Sequence, residues 1–263
     1  MKGFWPQDNE GYLLNDASWD KIPLVYLPLI EDMKSTYIKY VADQVYGIYI
    51  FGSVPRGIAK QGLSDIDCMA VLKSKVNTEW AYGESMRIMS TYPIISSIVF
   101  DFALINEVIE TKYFSWPAFL LSIGGLCVEG KDIIPSLPRF KPSMAICNSE
   151  LIQLKENIDE AIQEIEKSDS VEKVKYWCRR ITKNMMRDGF FLNMVKDNRF
   201  TSDVDLCYQE FARHYPHHAA EMARALEFSK NPSSHKTEII DFLNGFGRWL
   251  VAEADKWLGI QNV

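Results

Sequence analysis

A β-rich apolar run over residues 46–51 stops at Gly52-Ser53, and the next such run, over residues 66–72, is entered through Asp65 and carries Asp67. Strand side chains alternate between faces, so Asp65 and Asp67 project to the same side. A strand that ends in Gly-Ser and is followed by a strand bearing two acids confines the region to an α/β arrangement with a polar sheet edge. The turn is expected to open a helix over residues 54–60, with backbone N–H groups and the Ser53 hydroxyl at its N-terminus, where the dipole favours an anion.

The surrounding pattern alternates between the two periodicities. Helical spacing of apolar residues covers 29–45 and 79–91, and a further strand is expected over 94–105, with Asp101 between Phe100 and Phe102. If that strand lies beside the one carrying Asp67, three carboxylates meet at one sheet edge. Beyond Pro135, Pro138 and Pro142 the pattern changes to helices, over 150–167, 171–196, 204–215, 219–228 and 236–258. The expected fold is therefore an α/β domain with a mixed sheet flanked by helices, residues 1–138, followed by an all-α helical bundle, residues 139–263.

Composition narrows the classes of function. With 263 residues, 47% of them hydrophobic, the chain can bury one large core or two smaller ones. No apolar run is long enough to span a bilayer and the N-terminus has no apolar leader core, so a cytoplasmic protein with no membrane partner is expected. The five cysteines form no Cys-x-x-Cys pair, which reads as small core residues in a reducing compartment. A net charge of −6 disfavours a broad nucleic-acid surface and suits a cationic small molecule.

Phosphoryl and nucleotidyl transfer require charge neutralisation around a triphosphate, and carboxylates holding two Mg²⁺ ions provide it. Asp65 and Asp67 fit that demand as metal ligands; Asp101 is either the third ligand or the base that takes the acceptor's proton. An isolated Asp-x-Asp says little. The ordered set of strand, Gly-Ser, Arg56-Gly57, Ser64-Asp65-Ile66-Asp67 and the later strand with Asp101 says far more.

These residues, Gly52-Ser53, Asp65-Ile66-Asp67 and Asp101, resemble the DNA polymerase β-like nucleotidyltransferase superfamily over roughly residues 30–135. The whole chain is similar to its aminoglycoside group, the streptomycin and spectinomycin adenylyltransferases, which join such a domain to a C-terminal helical domain. The resemblance implies a Mg²⁺-dependent transfer of AMP from ATP to a hydroxyl of a small acceptor, with the helical domain closing over the nucleotide. It gives Gly52 and Ser53 the triphosphate, and Asp65, Asp67 and Asp101 the metals. Val54-Pro55-Arg56 departs from the Ala-x-Arg that relatives often carry there.

In the helical half, Arg179, Lys183 and Arg187 recur at four-residue spacing on one helix side, with Lys183 the candidate phosphate contact and Tyr208 the candidate ribose or stacking contact. Each has a plainer reading as a solvated or packing residue. Arg56 is either a phosphate contact or half of a structural ion pair with Asp65 or Glu84. Glu107 is a second candidate base or a helix-start glutamate stabilised by the dipole. His214, His217 and His218 lack a carboxylate at ligand spacing and read as surface histidines, and Trp116, Phe119 and Leu120 read as core. Two rival functions stay open: the same chemistry on tRNA or protein, and a nucleotide-binding module without turnover.

Overall fold

Val45–Phe51 and Ile66–Leu72 are rich in β-branched and aromatic residues, and they form strands β1 and β2 of a four-stranded sheet ordered β3-β2-β1-β4. The computed structural model describes residues 3–109 and 113–259. β1 and β2 pair antiparallel with Phe51 opposite Asp67, and β2 pairs parallel with β3, Ile98–Leu104, with Met69 opposite Asp101. β4, Leu126–Gly130, pairs antiparallel with β1, so the parallel β2–β3 pair makes an otherwise antiparallel sheet mixed.

The central strands are buried on both faces, which is why they read as nearly continuous apolar runs. One face carries Ile48, Ile50, Ile66, Cys68, Ala70, Ile98 and Phe100, packed against α1, Leu27–Val41, through Leu29, Ile30, Met33 and Tyr37. Helix α2, Trp80–Thr91, joins that layer through Ile88. The other face carries Tyr49, Phe51, Met69, Val71 and Ala103. It is covered by α3, Ile105–Ile109, by α4, Trp116–Gly124, and by the segment holding Ile133 and Leu137. Phe119 is fully buried and packs with Phe114, Trp116 and Phe140, so this aromatic group is core.

The chain divides into two compact units, one spanning Pro6–Lys141 and the other Pro142–Val263 together with the N-terminal segment through Trp5. The Trp5 amide donates to the Phe200 carbonyl at 2.7 Å, and the two rings lie 5.3 Å apart. The outer ends of the two expected domains, residue 1 and residues 260–263, lie outside the described residues. The helical unit contains α5, Met144–Leu151, α6, Leu154–Lys167, α7, Val171–Asp197, α8, Val204–His214, α9, Ala219–Lys230, α10, Lys236–Phe242, and α11, Arg248–Leu258. Helix α7 is its central member, packed by α5, α6, α8, α9 and α11. Among the described residues no helix is long and apolar enough to cross a membrane.

Four expectations need correction. The helix at 54–60 does not form: residues 52–57 are turns, because Gly57 takes a left-handed φ of 71° that no helix continues through. The strand at 94–105 is shorter, since Tyr92 to Ser97 is spent on the turn whose Ile94 carbonyl accepts from the Gly62 amide. The expected helix at 150–167 is split between α5 and α6 around Ile152 and Gln153. That at 236–258 is interrupted by a π-helical segment, Leu243–Gly247, in a stretch holding two glycines of low helix propensity.

An ion network fastens α1 to α2. Glu84 is nearly buried and accepts from Arg87 Nε at 2.5 Å, Tyr40 Oη at 2.8 Å and Lys39 Nζ at 3.1 Å, and Arg87 forks onto Asp32 at 2.7 and 2.9 Å. The Arg87 hydrogen bond is the main cause that holds the Glu84 carboxyl down at about 2. A depressed carboxyl stabilises the fold above its unfolded value near 4.3 and loses that contribution as pH falls toward 2. Glu84→Gln is expected to cost about 1–2 kcal/mol at pH 7, discounted because its partners reach solvent. Urea denaturation should show the gap to wild type closing between about pH 5 and pH 2.

Candidate active site

Strand β1 delivers the chain to Gly52, whose φ of 78° is available to glycine at little cost. The absent side chain matters as much as the angle. A β-carbon at Gly52 would overlap the carboxylate of Asp67, which sits across from Phe51 in the β1–β2 ladder. The end of β1 and the Asp67 carboxylate thus occupy one spot, with the glycine hydrogen as the only spacer.

The turn that follows is held by its own backbone. The Gly57 amide donates to Val54 O at 3.0 Å and the Ile58 amide to Ser53 O at 3.1 Å, while the Ser18 amide reaches Pro55 O at 2.9 Å. Val54 is fully buried and anchors the turn beneath the sheet. Ser53 Oγ is buried and has no hydrogen-bond partner. A buried hydroxyl without a partner carries a desolvation cost of about 1–3 kcal/mol that a bound polar group removes. Without the expected helix, any anion here meets the turn's amides and this hydroxyl rather than a helix dipole.

Asp65 lies on the loop just before β2 and Asp67 is the second residue of that strand, both half-buried. The loop is fixed by Ser64, whose amide donates to Lys60 O at 2.9 Å and whose Oγ accepts from the Lys60 amide at 2.8 Å. Asp101 stands opposite Met69, two residues beyond the partner of Asp67, so strand alternation puts it on the Asp67 face. Asp101 is open to water at its rim, yet the protein packed around its carboxyl penalises the charge and pushes it up to about 6. Asp67 and Asp101 therefore share one face of the sheet, with Asp65 and the Ser53 turn at the strand ends next to Asp67.

The compactness of that set has a limit. Among the described residues, the one trio of His, Cys, Asp or Glu with ligand atoms all within 4.8 Å of one another is Asp197, Glu210 and His214, in the helical unit. Arg213 already bridges Asp197 at 2.6 Å and Glu210 at 2.5 Å, and His214 Nε2 lies 2.8 Å from Asp197, so a cation-neutralised network fills that place. The sequence reading of His214 as a partnerless surface histidine is corrected here. Its main carboxylate comes from the end of a different helix, which spacing along α8 does not reveal.

Other candidates settle individually. Arg56 is mostly buried and pairs with Asp16 at 3.3 Å, which Lys21 also holds at 2.5 Å. Burial draws the Arg56 guanidinium below its ordinary value. Glu107 Oε2 accepts from the Leu104 amide at 2.9 Å, the backward half of a capping box at the start of α3, and this gives Glu107 a structural task. Lys183 on α7 and Tyr208 on α8 are half-buried members of the helical unit, as is Arg187, whose Nε is buried without a hydrogen bond. Arg179 is exposed. The sequence reading passed over Tyr37, whose hydroxyl reaches the backbone of β2 and β3; its place in a helical apolar stripe hid it.

Residues 34–148 match the family model described as "Nucleotidyltransferase domain". Among solved structures the chain is similar to a spectinomycin adenyltransferase, AAD(9), from Enterococcus faecialis, whose crystal structure holds ATP and spectinomycin. The TM-score is 0.54 at 15% identity, covering 87% of this chain and 98% of that one, a likeness of fold. No curated protein sequence matches the chain.

Gly52→Ala tests the spacing between turn and acid. Left-handed strain and the collision with Asp67 are expected to lower stability by about 1–3 kcal/mol in urea denaturation. Gly83→Ala, at an exposed position of α2 with open space at its β-carbon, should instead hold or raise stability.

Proposed function

We propose that this chain, whose residues 34–148 match the nucleotidyltransferase-domain family model, is a Mg²⁺-dependent adenylyltransferase of the DNA polymerase β-like kind that moves AMP from ATP to a hydroxyl of a small, aminoglycoside-like acceptor and releases pyrophosphate. The observation that carries this reading is the unpartnered, buried Ser53 hydroxyl, on a turn whose first residue touches the Asp67 carboxylate. A turn with spare donors beside an acid suits a triphosphate that arrives with its cation.

The donor set fits the metal. Mg²⁺ takes hard oxygen ligands, and Asp65, Asp67 and Asp101 offer only those. Two such ions, when bound, neutralise the triphosphate and the departing pyrophosphate. Ser53 Oγ and the backbone amides of its turn, apart from Pro55, which has none, and Gly57, which already donates to Val54 O, hold the β- and γ-phosphates. Asp101 accepts the proton of the acceptor hydroxyl as its oxygen attacks the α-phosphorus and the α–β phosphoanhydride bond breaks. Asp101 is preferred over Glu107, whose carboxylate is engaged in capping α3.

Arg56 compensates Asp16 behind the turn and contributes positive potential to the phosphates. Lys183, from the Arg179-Lys183-Arg187 row, is the candidate phosphate contact and Tyr208 the candidate ribose or stacking contact; Lys183→Ala and Tyr208→Ala are expected to raise KM for ATP. The acceptor class is supported by the net charge of −6 and by the ATP and spectinomycin held in the similar fold.

The test is transfer of label from α-labelled ATP with Mg²⁺, against an aminoglycoside panel and against fractionated cell extract. Asp67→Asn and Asp101→Asn are each expected to lower transfer by about 100-fold or more. Label confined to RNase-sensitive or protease-sensitive material would replace the small acceptor with a macromolecule. Nucleotide binding without transfer of any of the four nucleotides would leave a binding module.

A further inference from the structure

Tyr37 projects from α1 into the sheet face opposite the acids and is completely buried. Its ring makes edge contacts with Phe100 at 4.9 Å, Phe102 at 5.7 Å and Trp80 at 6.2 Å. These rings alone would satisfy a hydrophobic core, and a phenylalanine would serve them equally well.

The hydroxyl does something the ring does not require. It donates to the backbone carbonyl of Asp101 at 3.0 Å, and lies 3.4 Å from the carbonyl and 3.5 Å from the sulfur of Cys68. The Cys68 thiol in turn donates to the Val99 carbonyl at 3.3 Å. Burial pushes both the phenol and the thiol up, so each keeps its proton. Cys68 is the residue after Asp67, on β2; Val99 and Asp101 are on β3, a strand at the end of the sheet order. Two side chains on the apolar face thus tie β2 to β3 at the level where, on the other face, Asp67 and Asp101 emerge.

We propose that Tyr37, assisted by Cys68, is a positioning residue that fixes β3 against β2 and so sets the separation of Asp101 from Asp67. The proposal rests on the reading of those two aspartates as the acidic centre. An end strand held by one neighbour has more freedom to shift than a central one, and displacement of about 1 Å at a reacting group costs on the order of 100-fold in rate. Nucleotide held by Ser53 and the turn amides does not depend on β3. Loss of the Tyr37 hydroxyl therefore acts on turnover and spares ATP binding.

The experiment compares wild type, Tyr37→Phe, Cys68→Ser and the double variant Tyr37→Phe/Cys68→Ala by steady-state kinetics and by amide hydrogen exchange on the full chain. Tyr37→Phe, which keeps the ring packing, is expected to lower kcat about 10-fold or more with KM for ATP within about twofold. Cys68→Ser, which keeps a donor, stays near wild type, and the double variant is the slowest. Exchange at β3 amides should quicken in Tyr37→Phe while the β1–β2 ladder stays protected. Unchanged kcat, or a rise in KM for ATP with kcat intact, overturns the proposal, as does quickened exchange throughout the sheet. Should wild type transfer no nucleotide, the enzymatic reading fails by itself. Exchange then decides the clamp: β3 protection equal in Tyr37→Phe and wild type overturns it, and a loss confined to β3 sustains it.

Discussion

The site depends on a contact between a backbone and a carboxylate. Gly52 closes β1 in a conformation that leaves no room for a β-carbon, and the space it leaves is taken by the Asp67 side chain. The antiparallel register that sets Phe51 across from Asp67 is thereby coupled to the conformation of the turn. A slip of one residue would turn Asp67 to the apolar face, where Ile66 and Cys68 are buried, so the core itself enforces the placement of the acid.

That coupling explains how the site tolerates its own electrostatics. Desolvation raises Asp101, and like charges on one strand face repel. The sheet resists because its opposite face is filled by α1 and α2, whose own join is an ion network centred on Glu84 and Arg87. Repulsion at the acids is held by packing elsewhere in the same unit. Arg56 illustrates the same economy of charge, compensating Asp16 from a mostly buried position behind the turn.

Much of this was legible from local pattern. The bounds of β2 follow from its apolar run and period-two alternation pairs Asp65 with Asp67, whereas the place of Asp101 on the Asp67 face needs the β2–β3 register that only the structure gives. The helix after Gly52-Ser53 was not legible, because Pro55 is compatible with a helix start and only the left-handed Gly57 rules one out. β4 escaped notice since five residues, Leu126–Gly130, carry too short a signal and its partner is β1, far back in sequence. The roles of Tyr37 and of Asp197 beside His214 arise from contacts across elements, which no spacing along one element encodes.

The mixed sheet also has a history built into it. β1 and β2 are joined through residues 52–65 with no helix between them and pair as neighbours, whereas β3 reaches β2 in parallel only after the chain has crossed over through α2. Contacts of low sequence separation form at smaller entropic cost than distant ones. The hairpin that brings Gly52 to Asp67 is therefore an early-forming unit, and the docking of β3, which brings Asp101, comes later. During synthesis the order is the same, because the residues of the hairpin leave the ribosome first. The acid that completes the set is the last to arrive, so a chain caught before that step holds the Ser53 turn and two of the three acids.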